Sequence, residues 1–236
     1  MVHSSLRQIG PVIGGAATIV NALLEAIGPD GTLVAYVDYE PFFEDGDDEI
    51  PVFNKLTASA ARDHGVLHEM IRTWPGSLRS DHPGAGISAI GAKAEWLTEH
   101  HPFHYGYGPG TPFEKLVEVN AKILMLGAPL DTITLLHYAE HLAEIPDKQV
   151  VKYRHLMPTE TGPQWIDFEE FDTSEPVNSQ LPENVFEQIA AAFLATGKAK
   201  QTPIGQSQAF LFDSQSLIPF AKTWLEAYPF RHDTGR

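Results

Sequence analysis

A single domain of α/β class, mixed α+β in character, is the fold that three features of this sequence predict. Its centre is expected to be a mixed sheet flanked by helices, with one antiparallel hairpin. Strand-like and helix-like signals alternate along all 236 residues, without an internal repeat, low-complexity tract or linker. The segments KQVVKYRHLMP and PQWIDFEEFD flank a turn-like TETG, which reads as a hairpin and argues against a purely parallel sheet. The chain is 43% hydrophobic and 20% charged, a balance that supports a packed core.

From the N-terminus, ATIVNALLEAIG has apolar residues at helical spacing and stops at Gly28. GTLVAYVDY is rich in β-branched and aromatic residues and reads as a strand. AARDHGVLHEMIRTWPG predicts a helix bent or interrupted near Gly65. GISAIG reads as a short strand and AKAEWLTEH as a short helix. TPFEKLVEVN is a helix with an explicit start: Thr111 as N-cap, Pro112 at N1 and Glu114 completing a capping box. AKILMLG is a buried strand ending at Gly127 and Pro129, and an apolar-periodic helix carrying His137 begins near Asp131. After the hairpin, PENVFEQIAAAFLATG predicts a helix and SQAFLF a strand. DSQSLIPFAKTWLEAYP predicts a final helix capped by Asp213.

No apolar run approaches the ~20 residues that span a bilayer, and no basic stretch followed by an apolar one marks secretion. The absence of cysteine excludes disulfides, thiolate zinc sites and cysteine nucleophiles, and makes a reducing cytoplasm the simplest compartment. Sixteen Lys and Arg against 31 Asp and Glu leave a net charge of −15, which repels nucleic acid and attracts cations. The acids concentrate in YEPFFEDGDDE and DFEEFDTSE, and both runs carry aromatic residues. They read either as a solvated acidic face or as a site for a polycationic ligand. A monomer and a homodimer are equally compatible with this composition.

Three polar, glycine-bearing turns offer backbone N–H groups to an anion: VHSSLRQIGPVIGG, RSDHPGAGISAIG and GYGPGTPFEK. None matches a Walker loop or a dinucleotide fingerprint. The stretch GAPLDTITLLHYAEH offers more. Its HYAEH matches H-x-x-E-H, in which His137 and His141 would bind zinc and Glu140 would act as base. Alternatively His137 is a general base for an amine or hydroxyl, since an ordinary histidine pKa near ~6.5 suits proton removal at neutral pH. A carboxylate on one ring nitrogen would set its tautomer, and Asp131, Glu169, Glu170 and Asp172 are the acids available. A core histidine satisfied by a backbone carbonyl is the third reading.

The ordered set VHSSL, IGPVIGGAATIVNAL, IGPDGTLV, RSDHP…ISAIG, YGPGTPFEKLVE and ILMLGAPLDTITLLHYAE resembles the aminoglycoside 3-N-acetyltransferases. The resemblance continues more loosely through FDTS and GQSQAFLFDSQSLIPFAKTWLE. It implies acetyl-CoA as cosubstrate, no metal, the 3-amino group of a 2-deoxystreptamine antibiotic as acceptor, and hence antibiotic resistance. It also implies that His137 is the catalytic histidine, with Glu170 and Asp172 in the acidic stretch near it. Ser4, Ser5, Arg79, Ser80, His82 and Thr111 fall in segments expected around coenzyme A. Tyr36, Asp38, Glu40, Asp131, Glu140 and Glu169 are expected on the acceptor side. Another aminated metabolite as acceptor is the alternative, because resemblance does not determine substrate.

Charge and chemistry agree with this resemblance. An acidic cleft concentrates a polycation, and direct transfer from thioester to amine fits a chain without cysteine, in which no thiol acyl-enzyme can form. Thr132 and Thr134 are candidate donors to the thioester oxyanion. Two departures stand out. Relatives carry a further segment ahead of VHSSL, whereas Met1 directly precedes Val2, and a missing strand there would leave a neighbour unpaired. PVFNKL stands where many relatives have an F-D-P turn, so Asn54 and Lys55 soften the acid character and are expected to alter the acceptor range.

Overall fold

The computed structural model describes residues 1–39 and 51–231. Glu40, with the acidic run that follows it, lies outside the described residues. The first half of the chain forms β1 (Val2–Ser4), α1 (Leu6–Ile9), α2 (Gly15–Ile27), β2 (Thr32–Tyr36), α3 (Val66–Arg72), β3 (Leu78–Arg79), β4 (Ile87–Gly91) and α4 (Ala94–Thr98). Then come α5 (Pro112–Glu118), β5 (Lys122–Leu126), α6 (Leu136–Leu142) and the hairpin strands β6 (Val150–Met157) and β7 (Gln164–Phe171). The chain continues through α7 (Val185–Ala195), β8 (Lys200–Ile204), β9 (Ser207–Asp213) and α8 (Ser214–Glu226).

Among the described residues seven strands form one mixed sheet, in the order β3-β4-β2-β1-β5-β9-β8. β1 runs parallel to β2 on one side, through Val2 and Ala35, and parallel to β5 on the other, from Val2–Leu124 to Ser4–Leu126. It therefore has a partner on each side. The remaining ladders are antiparallel. Strand alternation divides the core between the two faces. Leu33, Ala35 and Val37 join Val20, Leu67 and Ile71 on the face covered by α2 and α3. Val34, Ile123 and Met125 join Phe113, Leu136, Ile189 and Leu217 under the later helices. The β6–β7 hairpin stands apart as its own two-stranded sheet and buries Met157 and Phe168 against Phe53.

The elements depart from expectation in four instructive places. The helix expected from residue 60 is a 3-10 turn, Arg62–His64, followed by α3, because Gly65 between them takes φ +80°. The helix expected from Asp131 is likewise a 3-10 turn, Leu130–Thr132, with α6 starting only at Leu136. Thr132 donates its hydroxyl to Pro129 O at 2.7 Å, which closes that turn. At α5 the Thr111 hydroxyl accepts from Phe113 N as expected, whereas Glu114 reaches past the cap to Gly110 N at 2.7 Å. β8 went unforeseen because it contains Pro203, which is tolerated there because β8 forms the sheet edge. Asp213 is the N-cap residue of α8, and its carboxylate pairs with Lys122 of the adjacent strand.

The interior also holds imidazoles. Desolvation lowers His68 and His101 to about 4, and His3 and His82 well below the ordinary histidine value. The unfolded chain protonates all four near ~6.5, so it binds more protons than the folded chain as pH falls from there toward 4. Folding stability should drop across that window, by about 1.4 kcal/mol per pH unit for each such histidine. The urea midpoint is therefore expected to be lower at pH 5 than at pH 7. Equal midpoints would contradict the burial of these rings as neutral groups.

Candidate active site

The C-terminal ends of β1, β2 and β5 open into a cleft of about 740 Å³, the position where parallel sheets hold their ligands. β1 delivers His3 and Ser4, and Ser5 and Arg7 follow. β2 delivers Tyr36 and, just beyond it, Asp38. The segment after β5 contributes Ala128, Pro129, Asp131, Thr132 and Thr134. A second recess of about 430 Å³ shares Asp131, His137, Thr173 and Phe186 with the cleft and adds Glu140, Glu175 and Glu183. His137 stands where the two cavities meet.

The first turn of α6 carries His137, and Glu140 follows three residues later on the same face. Nδ1 of His137 lies 2.8 Å from Oε2 of Glu140, whose side chain is only 4% exposed. A carboxylate accepts and does not donate, so the proton sits on Nδ1 and Nε2 keeps its lone pair. Tyr107 and Phe186 hold the ring from two sides, at 4.9 and 4.8 Å between centroids. The acid behind His137 is thus Glu140, and not Asp131, Glu169, Glu170 or Asp172.

One turn further, His141 donates Nε2–H to Oε1 of Glu170 at 2.8 Å. Glu170 also accepts the backbone N–H groups of Tyr107, at 3.3 Å, and Phe171, at 2.8 Å. It ties α6, the Tyr107 loop and β7 together. The two histidines of the H-x-x-E-H pattern therefore turn toward two different carboxylates rather than toward one centre. Among the described residues no group of three or more His, Cys, Asp or Glu side chains is arranged to hold a metal ion.

The other residues singled out in the sequence divide into two sets. Ser4, Ser5, Tyr36, Asp38 and Asp131 line the cleft with His137. Arg79, Ser80, His82 and Thr111 are buried and occupied within the fold. The Arg79 guanidinium donates to Val37 O and Ala58 O, bracing the chain behind the cleft. The Ser80 hydroxyl accepts from Ile87 N, His82 Nδ1 accepts from Ala85 N, and the Thr111 hydroxyl donates to Gly108 O. These four support the walls rather than line them. Glu169 accepts from Tyr105 Oη at 2.6 Å and pairs with Lys152 on the hairpin. Asp172 accepts from the backbone and hydroxyl of Ser174, shaping the turn that sends Thr173 into both cavities. Asn54 and Lys55 lie away from the cleft, with Lys55 paired to Asp81. The GYGPG turn proves to be a packing device: a Cβ on Gly106 would strike His82 at 2.6 Å, and one on Gly108 would strike His141 at 2.8 Å.

Sequence reasoning missed several residues of the cleft wall. Tyr107 bonds Tyr36 through their hydroxyls at 2.6 Å, and burial raises both phenols well above the ordinary tyrosine value. His3, Asp63, His64 and His68 also line the cleft. In the sequence, only their polarity beside Gly65 and in VHSSL could have marked them. Replacing Glu170 by alanine should strip His141 and two buried N–H groups of their acceptor and cost roughly 3 kcal/mol. Urea unfolding of Glu170→Ala measures this directly.

A histidine hydrogen-bonded to a buried carboxylate, set between an open cleft and a recess lined by carboxylates, makes this junction the candidate active site of an enzyme. Comparison with known proteins gives its chemistry. Residues 1–226 match the sequence profile of the aminoglycoside 3-N-acetyltransferases. Over 238 residues the chain is 40% identical to aminoglycoside N(3)-acetyltransferase III of Pseudomonas aeruginosa, spanning 96% of this chain and 86% of that one. The solved structure described as AAC-IIIb binary with CoASH has a TM-score of 0.91 and 46% identity, over 96% of this chain and 88% of that one. AAC-VIa bound to sisomicin has a TM-score of 0.88 and 36% identity, over 96% of this chain and 90% of that one. The chain belongs to the aminoglycoside 3-N-acetyltransferase family and is an acyltransferase.

Proposed function

We propose that the chain transfers an acetyl group from acetyl-CoA to the 3-amino group of a 2-deoxystreptamine aminoglycoside, and so confers resistance to it. The observation that carries this reading is the position of His137 at the junction of the two cavities, with Nδ1 tied to Glu140 and Nε2 left as a base. The relatives support both ligands by their bound states, CoASH in one and sisomicin in the other.

The residues present fit a coenzyme A thioester. Ser4, Ser5 and the exposed Arg7 give hydroxyls and a cation at the end of β1, and Val66, Ala128 and Pro129 give apolar surface beside them. The acidic recess with Asp131, Glu140, Glu175 and Glu183 suits the ammonium groups of the acceptor. The attacking amine must be neutral. As its nitrogen bonds to the thioester carbonyl carbon, His137 Nε2 takes its proton. The C–S bond then breaks, and the imidazolium returns the proton to the departing thiolate. Glu140, hydrogen-bonded to Nδ1, stabilises the transient imidazolium. Thr134 is the better of the two oxyanion donors. Thr132 spends its hydroxyl proton on Pro129 O, whereas Thr134 lines the cleft and its hydroxyl has no partner among the described residues.

His137→Ala should lower acceptor-dependent thiol release from acetyl-CoA by at least ~100-fold, as for loss of a general base. Glu140→Gln should lower kcat by a smaller factor, roughly 10- to 100-fold, with little change in KM. A chelator should leave the wild-type rate unchanged. Gentamicin, apramycin and an acceptor-free control test this in one assay, and wild-type enzyme releasing no thiol with any aminated acceptor overturns the reading.

A further inference from the structure

Besides His137, the cleft is lined by another imidazole, this one between two carboxylates. His64 ends the turn Arg62–His64, and its side chain is 20% exposed. Nε2 is hydrogen-bonded to Oδ1 of Asp38, and Nδ1 lies 3.8 Å from Oδ1 of Asp63. The ring sits edge-on to Tyr36 at 4.8 Å and stacks on His68 at 5.7 Å. Tyr36 bonds Tyr107, which packs on His137, so the two imidazoles flank one tyrosine pair. Asp38, Asp63, His64 and His68 all line the cleft.

We propose that Asp38, His64 and Asp63 form a proton-exchanging subsite for one ammonium group of the acceptor. In the free cleft His64 carries the positive charge against Asp38. An arriving ammonium takes that place, and the His64 proton leaves to solvent. This subsite rests on the aminated acceptor proposed above and adds a regulation by pH to it.

The surroundings leave His64 as the group that exchanges. Burial alone would lower its pKa, but the hydrogen bond and charge of Asp38, with the charge of Asp63, outweigh that and raise it above the ordinary value. His68 of α3, lowered to about 4 by burial, and His3 of β1, also pushed down by burial, stay neutral beside it. Tyr36 stays a neutral phenol. Arg62 shares the turn, and Glu69 and Arg72 of α3 are bonded to each other. Arg7, Asp131 and His137 line the same cleft. Below its titration His64 competes with the acceptor for Asp38. Above it Asp38 keeps only a neutral N–H donor and has lost its countercharge, so acceptor affinity rises with pH through this window.

The test is calorimetric binding of gentamicin at pH 7 in phosphate and in Tris, whose ionisation enthalpies differ. Wild type is compared with His64→Asn and His64→Gln, and the protonation of gentamicin itself cancels in the comparison. Wild type should release more protons per bound acceptor than either variant, by up to about one. Its KM for gentamicin should also fall more steeply from pH 6 to pH 8, by up to about tenfold. Equal proton counts and parallel KM profiles, with His137-dependent acetyl transfer intact in wild type, would overturn the subsite alone. Wild type without acetyl transfer would overturn the functional reading and the subsite with it.

Discussion

β1 pairs in parallel with both β2 and β5, and that double pairing brings three strand ends to one edge of the sheet. The chain leaves β1 for β2 on one side and later returns to β5 on the other, so the loops after the strands diverge around a gap. Ser4 and Ser5, Tyr36 and Asp38, and the segment from Ala128 to His137 reach the cleft for this one reason. The antiparallel strands β4 and β9 flank these three, and their helices cover both faces.

Two buried carboxylates then determine how α6 is used. An ionised acid sealed from water costs several kcal/mol unless it is paired, and Glu140 and Glu170 are each only 3% exposed. Each finds an imidazole of α6, His137 for one and His141 for the other. The first pairing stands where the two cavities meet. The second locks the helix to β7 and to the loop that carries Tyr107. The same short motif thus yields one pair beside the cavities and one that braces the fold.

Much of the remaining polarity is structural. Arg79, Ser80, His82 and His101 lie inside, where they satisfy backbone groups and one another. The glycines of the GYG turn admit His82 and His141 at distances a side chain would forbid. A polar residue in a glycine-bearing loop reads the same in sequence whether it faces a ligand or a carbonyl, since only packing separates the two.

The sequence by itself determined the mixed α/β class, the helices from α2 to α8 with displaced starts at α3 and α6, the hairpin and the family, because periodicity, caps and turn residues are local signals. It also brought His137 forward, through its place after a strand and a Pro-bearing turn. Only the tertiary structure decided that Glu140 rather than Glu170 or Asp172 stands behind that histidine. It alone showed Arg79, Ser80, His82 and Thr111 to be buried and bonded within the fold, and it alone brought Asp38, His64 and Tyr107 to one cleft. The contacts of His64 with Asp38 and of Tyr107 with Tyr36 join residues 26 and 71 positions apart, which no local pattern encodes. Glu140 is three residues from His137, yet only packing decided that it, rather than a distant acid, fills the pair.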